Sequence, residues 1–247
     1  MTVLPATELH DWSGEGRRFV ARRTVRLGDV DPAGELRLDA IGRYLQDVAS
    51  DDAVGAGLPN ALGWVVRRTL LSVTEPAIAG EDVELTTFCT GAGRSWAERR
   101  TTIRSERGAV IDGVSLWVQV DVTTGRPARL GDEFTEIYGS AAAGRHVSSK
   151  LSLPNRPPDG AIVSRTWRFR RADLDQFGHV NNAAQLALVE EDLAPGARRG
   201  RFEIEYLGAA DADVEHDVLV APGGSGGCAW LVPTATTTPV TVIARAA

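Results

Sequence analysis

The residues best suited to chemistry lie in one ten-residue stretch, residues 173–182, which reads Asp-Leu-Asp-Gln-Phe-Gly-His-Val-Asn-Asn. It combines two carboxylates, one imidazole and two carboxamides, and such groups need partners wherever they are buried. Gly178, just before His179, permits a backbone conformation that other residues resist. Two interpretations fit: a catalytic site, or a polar turn that caps the following helix, since Asp, Asn and Gly are good turn and cap residues.

The composition is that of an ordinary globular chain. Its 247 residues suffice for one large domain or two small ones, with 43% hydrophobic and 24% charged residues. The net charge of −6 argues against general nucleic-acid binding. Two cysteines, and histidines without metal-ligand spacing, indicate neither a disulfide framework nor a metal site. No apolar run is long enough to cross a membrane, so we expect a cytoplasmic protein without membrane binding.

The elements that must position these residues follow from the apolar spacing. Residues 19–26 read as a strand, and apolar residues at helical spacing predict a helix over residues 38–56. β-branched and aromatic residues between turn signals predict further strands at residues 64–74, 82–90, 96–105 and 109–122, with a short one near Arg129. A long helix followed by hairpin-connected strands indicates an α+β unit, with the helix on one face of an antiparallel sheet.

The pattern begins again after a segment rich in Ala, Ser, Gly and Pro. We assign residues 1–131 to a first unit, 132–160 to a linker with one short helix near residues 133–138, and 161–247 to a second unit. In the second unit Leu186, Val189 and Leu193 form a helical stripe. Its predicted strands are residues 164–170, 202–206, 214–220, 228–232 and 240–245. The Gly-rich residues 223–227 read as a hairpin connection, since no Lys follows them.

The two units share short motifs in the same order. Residues 29–34 match residues 173–178 at an offset of 144 positions (175 − 31), and residues 82–84 match residues 213–215 at an offset of 131 (213 − 82). Each match has the same strand, turn and helix around it, so we interpret the halves as copies of one unit. The first copy has Glu35 where the second has the imidazole.

Residues 173–182, at the turn into a helix wrapped by an antiparallel sheet, resemble the hotdog-fold thioesterases. The duplicated arrangement is similar to the acyl-ACP thioesterases of plant plastids and their bacterial relatives, over roughly residues 18–220. Further similar segments are Tyr-Leu-Gln-Asp-Val-Ala at 44–49, Trp-Val-Val-x-Arg at 64–68, Val-Ser-Leu-Trp-Val at 114–118 and Glu-Tyr at 205–206. The resemblance implies two tandem hotdog units, each a long helix packed on an antiparallel sheet, with the acyl pocket in the first.

The same resemblance implies a hydrolase of fatty acid biosynthesis that splits acyl-ACP into free fatty acid and carrier thiol, with no cofactor or metal. Thioester hydrolysis needs an activated water or a carboxylate nucleophile, and a donor for the oxyanion. Asp175 is the predicted base or nucleophile, His179 would orient water or polarise the carbonyl, and Asn181 would hold a partner in place. Backbone N–H groups near His179 and Val180 are the predicted oxyanion donors.

The predicted substrate-binding residues come from both units: Gly178, Val180, Trp64, Val66 and Arg68. Asp31 is a second candidate acid, because it occupies the place of Asp175 in the first copy. Capping of the first helix is the role we favour for it.

Three positions depart from the plant pattern. Phe177 stands where plant members carry Asn, and Ala209 and Ala210 stand where they carry Glu and Cys. An acyl-CoA thioesterase and a non-catalytic acyl-binding hotdog protein therefore stay open as alternatives. A double-hotdog hydratase is disfavoured, since Gly34 replaces its His. The expected partner is an acyl carrier protein or CoA thioester, and a homodimer is left open.

Overall fold

The computed structural model describes residues 7–58, 62–191, 198–221 and 227–246. Its strands form one sheet of ten, and each strand is antiparallel to its neighbours. In chain order they are β1 (Arg18–Thr24), β2 (Leu62–Glu75), β3 (Asp82–Ala92), β4 (Trp96–Ser105), β5 (Val110–Asp121), β6 (Ile162–Arg168), β7 (Gly200–Tyr206), β8 (Glu215–Val220), β9 (Cys228–Pro233) and β10 (Thr241–Ala246). Across the sheet the order is β1-β3-β4-β5-β2-β7-β10-β9-β8-β6. Two half-sheets therefore join edge to edge at β2 and β7.

A pseudo-twofold axis relates the half-sheets. Read outwards from the centre, β7-β10-β9-β8-β6 repeats β2-β5-β4-β3-β1. Leu71 of β2 pairs with Phe202 of β7 at the centre. These two residues are 131 positions apart (202 − 71), which is the offset between Asp82 and Asp213. Each is thus the counterpart of the other, and the structure confirms the predicted α+β fold of two hotdog units.

The helical segments cover one face of the sheet. α1 (Leu38–Gly55) buries Ile41, Leu45 and Val48 against the strands, as the apolar spacing predicts. The second half has a 3₁₀ turn at Ala184–Leu186, followed by α3 (Ala187–Glu191). Leu193 of the predicted stripe lies outside the described residues. None of the described helices is both long and apolar enough to pass through a bilayer.

Gly42 allows the helical segments of the two halves to meet. A Cβ at this position would lie 2.7 Å from Leu186 Cδ1 and 3.0 Å from the Ala183 Cβ. Leu186 follows Gly42 by 144 positions (186 − 42), the offset of the turn motifs. The helical segments therefore cross where each contacts its own counterpart.

The predicted linker helix is present and longer than expected, as α2 (Asp132–Ala142). Its Tyr138 hydroxyl donates to Asp52 near the end of α1, at 2.9 Å. The strand predicted near Arg129 is absent from the described residues, so that prediction is wrong. Pro127 has no N–H to donate, and its neighbours bond to two different segments: Ala128 N–H to the Gln119 carbonyl and Leu130 N–H to the Arg94 carbonyl.

β8 and β9 pair as antiparallel neighbours, and the hairpin connection predicted at residues 223–227 falls between them. Residues 222–226 themselves lie outside the described part of the chain.

Candidate active site

The loop between β6 and α3 contains a tight turn built around Asp175. The Asp175 Oδ1 accepts hydrogen bonds from the N–H groups of Phe177 (2.9 Å) and His179 (3.1 Å). The Gly178 N–H donates to the Asp175 carbonyl at 3.0 Å, and Gly178 has a φ of +79°, a conformation that disfavours residues with a Cβ. The turn thus holds the Asp175 carboxylate in a fixed orientation.

The same turn occurs in the first half around Asp31. The Asp31 Oδ1 accepts the Glu35 N–H at 2.9 Å, and the Asp31 carbonyl accepts the Gly34 N–H at 2.9 Å. Gly34 has a φ of +82°. The duplication is therefore preserved in the hydrogen bonds of the turn as well as in the strand order.

Contacts from both halves fix Asn182 where the helical segment starts. The Tyr206 hydroxyl donates to the Asn182 carbonyl at 3.0 Å, and Asn182 Nδ2 donates to the Val66 carbonyl of β2 at 3.4 Å. Beside it, Asn181 Oδ1 accepts the Ala183 N–H at 2.8 Å, which is a helix-cap contact. Asn181 thus makes the kind of contact that the alternative interpretation of residues 173–182 as a helix cap expects, and the loop is anchored to the first half through β2.

The free backbone donor differs from the two that the sequence suggested. The His179 N–H is engaged by Asp175, and the Val180 N–H donates to the Ala210 carbonyl at 3.4 Å. Within the described residues, the Asn182 N–H has no acceptor. An oxyanion donor is therefore available at Asn182, two to three residues later than predicted, because the hydrogen bonds of the turn consume the earlier ones.

The polar side chains of the loop around Asp175 are half-buried or exposed to solvent. Asp175 and Asn181 are half-buried, the His179 imidazole is exposed, and the Phe177 side chain is 64% exposed. The Val180 contact with Ala210 also places residues 209–210, which the sequence comparison singled out, directly beside this turn.

A small cavity lies between α1, the start of the second helical segment and the sheet. Its volume of about 10 Å³ has room for about one water molecule. Its lining includes four polar residues that the sequence did not single out as site residues: Gln46, Thr69, Ser115 and Tyr206. Burial raises the pKa of the Tyr206 hydroxyl, which keeps it a hydrogen-bond donor. Of the four, Gln46, Ser115 and Tyr206 carried a sequence signal, since all three lie in segments similar to the thioesterases.

A β-bulge in β2 separates two of the predicted substrate-binding residues, Val66 and Arg68. The register of β2 against β5 shifts between Val66 and Arg68. Val66 and Thr69 line the cavity, whereas the buried Arg68 pairs with Glu98, with Nη2 3.3 Å from Oε2. Strict alternation places Val66 and Arg68 on one face of the strand, and the extra residue of the bulge reverses this. Arg68 therefore does not line this cavity, and its role in substrate binding stays a prediction.

Trp64, the other predicted residue of β2, packs against α2. Its ring centroid lies 5.8 Å from that of Phe134, in a cluster that also includes Tyr138. The structure thus brings Val66 to the loop around Asp175 and places Trp64 in the contact between β2 and the linker helix.

Asp31 is held in a network of ion pairs. Arg198 Nη1 lies 2.8 Å from Asp31 Oδ2 and 3.3 Å from Glu35 Oε2, while its Nη2 lies 2.7 Å from Glu190 Oε2. Burial alone raises the pKa of Asp31, but the hydrogen bonds from Arg198 and the Glu35 N–H outweigh it and hold this pKa below its ordinary value. Arg198 and Glu190 belong to the second half, so this network joins the halves.

The second-half turn therefore combines an oriented carboxylate, an exposed imidazole and an unoccupied N–H where a helical segment begins. Such groups can deprotonate a water molecule and stabilise an oxyanion. In the described part of the chain, no three His, Cys, Asp or Glu side chains are grouped so that they could hold a metal ion.

The chain is similar to known proteins over most of its length. The model of the acyl-ACP thioesterase N-terminal domain matches residues 16–138. An uncharacterised protein of Mycobacterium tuberculosis is 29% identical over 166 residues, which cover 67% of this chain and 66% of that one. Oleoyl-acyl carrier protein thioesterase 1 of Arabidopsis thaliana is 22% identical over 214 residues, which cover 78% of this chain and 59% of that one. This chain thus spans about two thirds or less of the length of these relatives.

Among solved structures, the 12:0-ACP thioesterase from Umbellularia californica matches with a TM-score of 0.74 at 22% identity. The match covers 97% of this chain and 98% of that one, and it shows a common double hotdog fold. With the family model matched to its first unit, the chain belongs to the acyl-ACP thioesterase family.

Proposed function

We propose that the protein hydrolyses a fatty acyl thioester of acyl carrier protein to free fatty acid and carrier thiol, with Asp175, His179 and Asn181 in the catalytic loop. The observation that carries this proposal is the oriented Asp175 carboxylate in the same loop as the unoccupied Asn182 N–H. Family membership supports it, as do the names of relatives that act on oleoyl-ACP and 12:0-ACP.

In the proposed reaction Asp175 takes a proton from water as the oxygen adds to the thioester carbon. The oxyanion accepts a hydrogen bond from the Asn182 N–H, which the contacts of Tyr206 and Val66 hold in place. Collapse of the tetrahedral intermediate breaks the C–S bond, and the thiolate recovers the proton from Asp175. Direct attack by the carboxylate, with later hydrolysis of the anhydride, would use the same side chain.

The other predicted residues have supporting roles in this proposal. His179 orients the water or polarises the carbonyl, Asn181 caps the helical segment, and Gly178 sets the turn. Buried Val180 and cavity-lining Val66 contribute to the acyl-binding surface. We propose Trp64 and Arg68 as further substrate-binding residues on the basis of the family resemblance.

An acyl-CoA thioester is the alternative substrate, because CoA and acyl carrier protein present the same phosphopantetheine thiol.

We place the protein in the cytoplasm, and we divide it at residues 131 and 160 into the two hotdog units and their linker. Neither a nucleic acid nor a membrane has a place in the proposed reaction.

The test compares two equivalent carboxylates. In Asp175→Asn we expect kcat for acyl-ACP to fall by about 100-fold or more, because the base is removed and the folded turn is retained. The matched variant Asp31→Asn weakens the Arg198 ion pair and should lower the melting temperature while keeping kcat within a few-fold of wild type. Thiol release from acyl-ACP and from acyl-CoA measures both variants.

Equal losses of kcat in the two variants, or an unaffected Asp175→Asn, would contradict the assignment of Asp175. A wild-type protein that releases thiol from neither substrate would instead favour the non-catalytic acyl-binding alternative.

A further inference from the structure

The two turn motifs differ in what each receives from the opposite half. In the first half, the Leu38 N–H at the start of α1 donates to a carboxylate oxygen of Glu190. Glu190 lies on α3 of the second half, and Arg198 binds the same carboxylate. The first backbone N–H of α1, which has no acceptor within its own helix, thus donates to an acidic side chain from the other half.

The duplication identifies the counterparts of these residues. At the offset of 144, Leu38 corresponds to Asn182 and Glu190 corresponds to Gln46. The correspondence holds for the neighbouring positions, since Tyr44 and Leu188 are both buried. The residue on α1 that matches Glu190 is therefore a neutral carboxamide.

The cavity supports this correspondence by an independent observation. Gln46 lines it together with Ala183 and Tyr206, which lie next to Asn182 in sequence and in space. Whereas Glu190 accepts the Leu38 N–H, the Asn182 N–H has no acceptor among the described residues.

We propose that the neutral side chain at Gln46, in the place that the carboxylate of Glu190 has in the first half, leaves the Asn182 N–H available as an oxyanion donor. This inference rests on the proposed hydrolysis and explains why only one of the two turns is competent. A carboxylate is a stronger hydrogen-bond acceptor than a carboxamide, and it would also repel a developing oxyanion. Glu190 has these effects in the first half.

The test introduces into the second half a carboxylate equivalent to that of Glu190 in the first half. In Gln46→Glu we expect the new carboxylate to accept the Asn182 N–H, so that the amide proton resonance of Asn182 moves downfield and titrates with the carboxyl group. We expect kcat at neutral pH to fall by about 100-fold, as for the loss of one oxyanion-hole donor. Circular dichroism and the melting temperature establish that the variant is folded.

Two controls separate this effect from general damage. Gln46→Ala removes the carboxamide without adding an acceptor, and it should keep kcat within a few-fold of wild type. Glu190→Gln, the reverse exchange in the first half, should leave kcat unchanged. An Asn182 amide that does not titrate in Gln46→Glu, or an equal loss of kcat in Gln46→Ala, would overturn the inference. If the wild type hydrolyses no thioester, the proposed function fails, and the amide titration still decides whether Gln46 faces Asn182.

Discussion

Phe177 contributes its backbone, rather than its ring, to the turn around Asp175. Its N–H donates to Asp175 Oδ1 at 2.9 Å, while its side chain is 64% exposed. Any residue other than proline can supply that N–H, so the turn does not depend on the aromatic ring. The departure from the plant pattern at this position therefore concerns one side chain, and the backbone hydrogen bonds of the turn do not depend on it.

We accordingly predict that Phe177→Asn raises kcat on the preferred thioester without altering KM by more than a few-fold, because it adds a polar group next to the oriented Asp175. The free energy of unfolding should change by less than about 0.5 kcal/mol, since the ring is mostly exposed. Steady-state kinetics and urea unfolding measure the two effects. A large loss of stability would show that the ring has a packing role.

At the scale of the element, the same turn is used twice for different purposes. Gly34 and Gly178 have φ values of +82° and +79°, and a Cβ at either position would meet no atom within 4 Å. The cost of a side chain at each position is therefore a backbone cost alone. This makes the two glycines a matched pair for separating stability from activity.

We predict that Gly34→Ala and Gly178→Ala each destabilise the fold by about 1–2 kcal/mol, the cost of a left-handed conformation for a residue with a Cβ. Only Gly178→Ala should lower kcat, by roughly 10-fold or more, because a displaced turn misplaces Asp175 and Asn182. Urea unfolding and thiol release on both variants provide the measurement. Similar losses of activity in the two variants would argue that the effect is one of stability.

The strands and α1 could be predicted from the sequence because their side chains repeat at the periods that strands and helices impose. The features that the sequence does not reveal depend on hydrogen bonds, about which periodicity carries no information. The bulge in β2 moves Arg68 to the other face of the sheet, although alternation groups it with Val66. The turn around Asp175 consumes the His179 N–H, and this leaves the donor at Asn182.

At the scale of the whole molecule, the two units have little independence. Their half-sheets are hydrogen-bonded along β2 and β7, from Arg68 paired with Glu205 to Val73 paired with Gly200. Arg198 of the second half binds Asp31 of the first, so charges as well as strands cross the boundary. We therefore expect both units to unfold in one cooperative transition.

Two cysteines can show whether the two units unfold together. Cys89 and Cys228 are free, buried, and lie one in each half. Their reactivity towards a thiol reagent during urea unfolding reports the opening of each unit separately, and a common midpoint is the expected result.

His216 supplies a perturbation confined to the second half. It is fully buried on β8, with its ring centroid 5.7 Å from that of Phe169. Burial holds the pKa of His216 below its ordinary value, and the carboxylate of Asp211 opposes this only in part. Above pH about 6.5 the imidazole is neutral in both the folded and the unfolded chain. Below that pH the unfolded chain takes up a proton that the folded chain excludes, so stability falls by up to about 1.4 kcal/mol per pH unit.

If the sheet unfolds as one body, protonation at His216 must weaken the distant first half as well. Between about pH 7.5 and about pH 5.5 we expect the urea midpoints of Cys89 and Cys228 to fall together in the wild type, and to fall less in His216→Leu. A reagent such as dithiodipyridine, which labels thiols at acidic pH, measures both. A Cys228 midpoint that falls with acid while that of Cys89 does not move would show that the duplicated units retain separate stabilities despite their shared sheet.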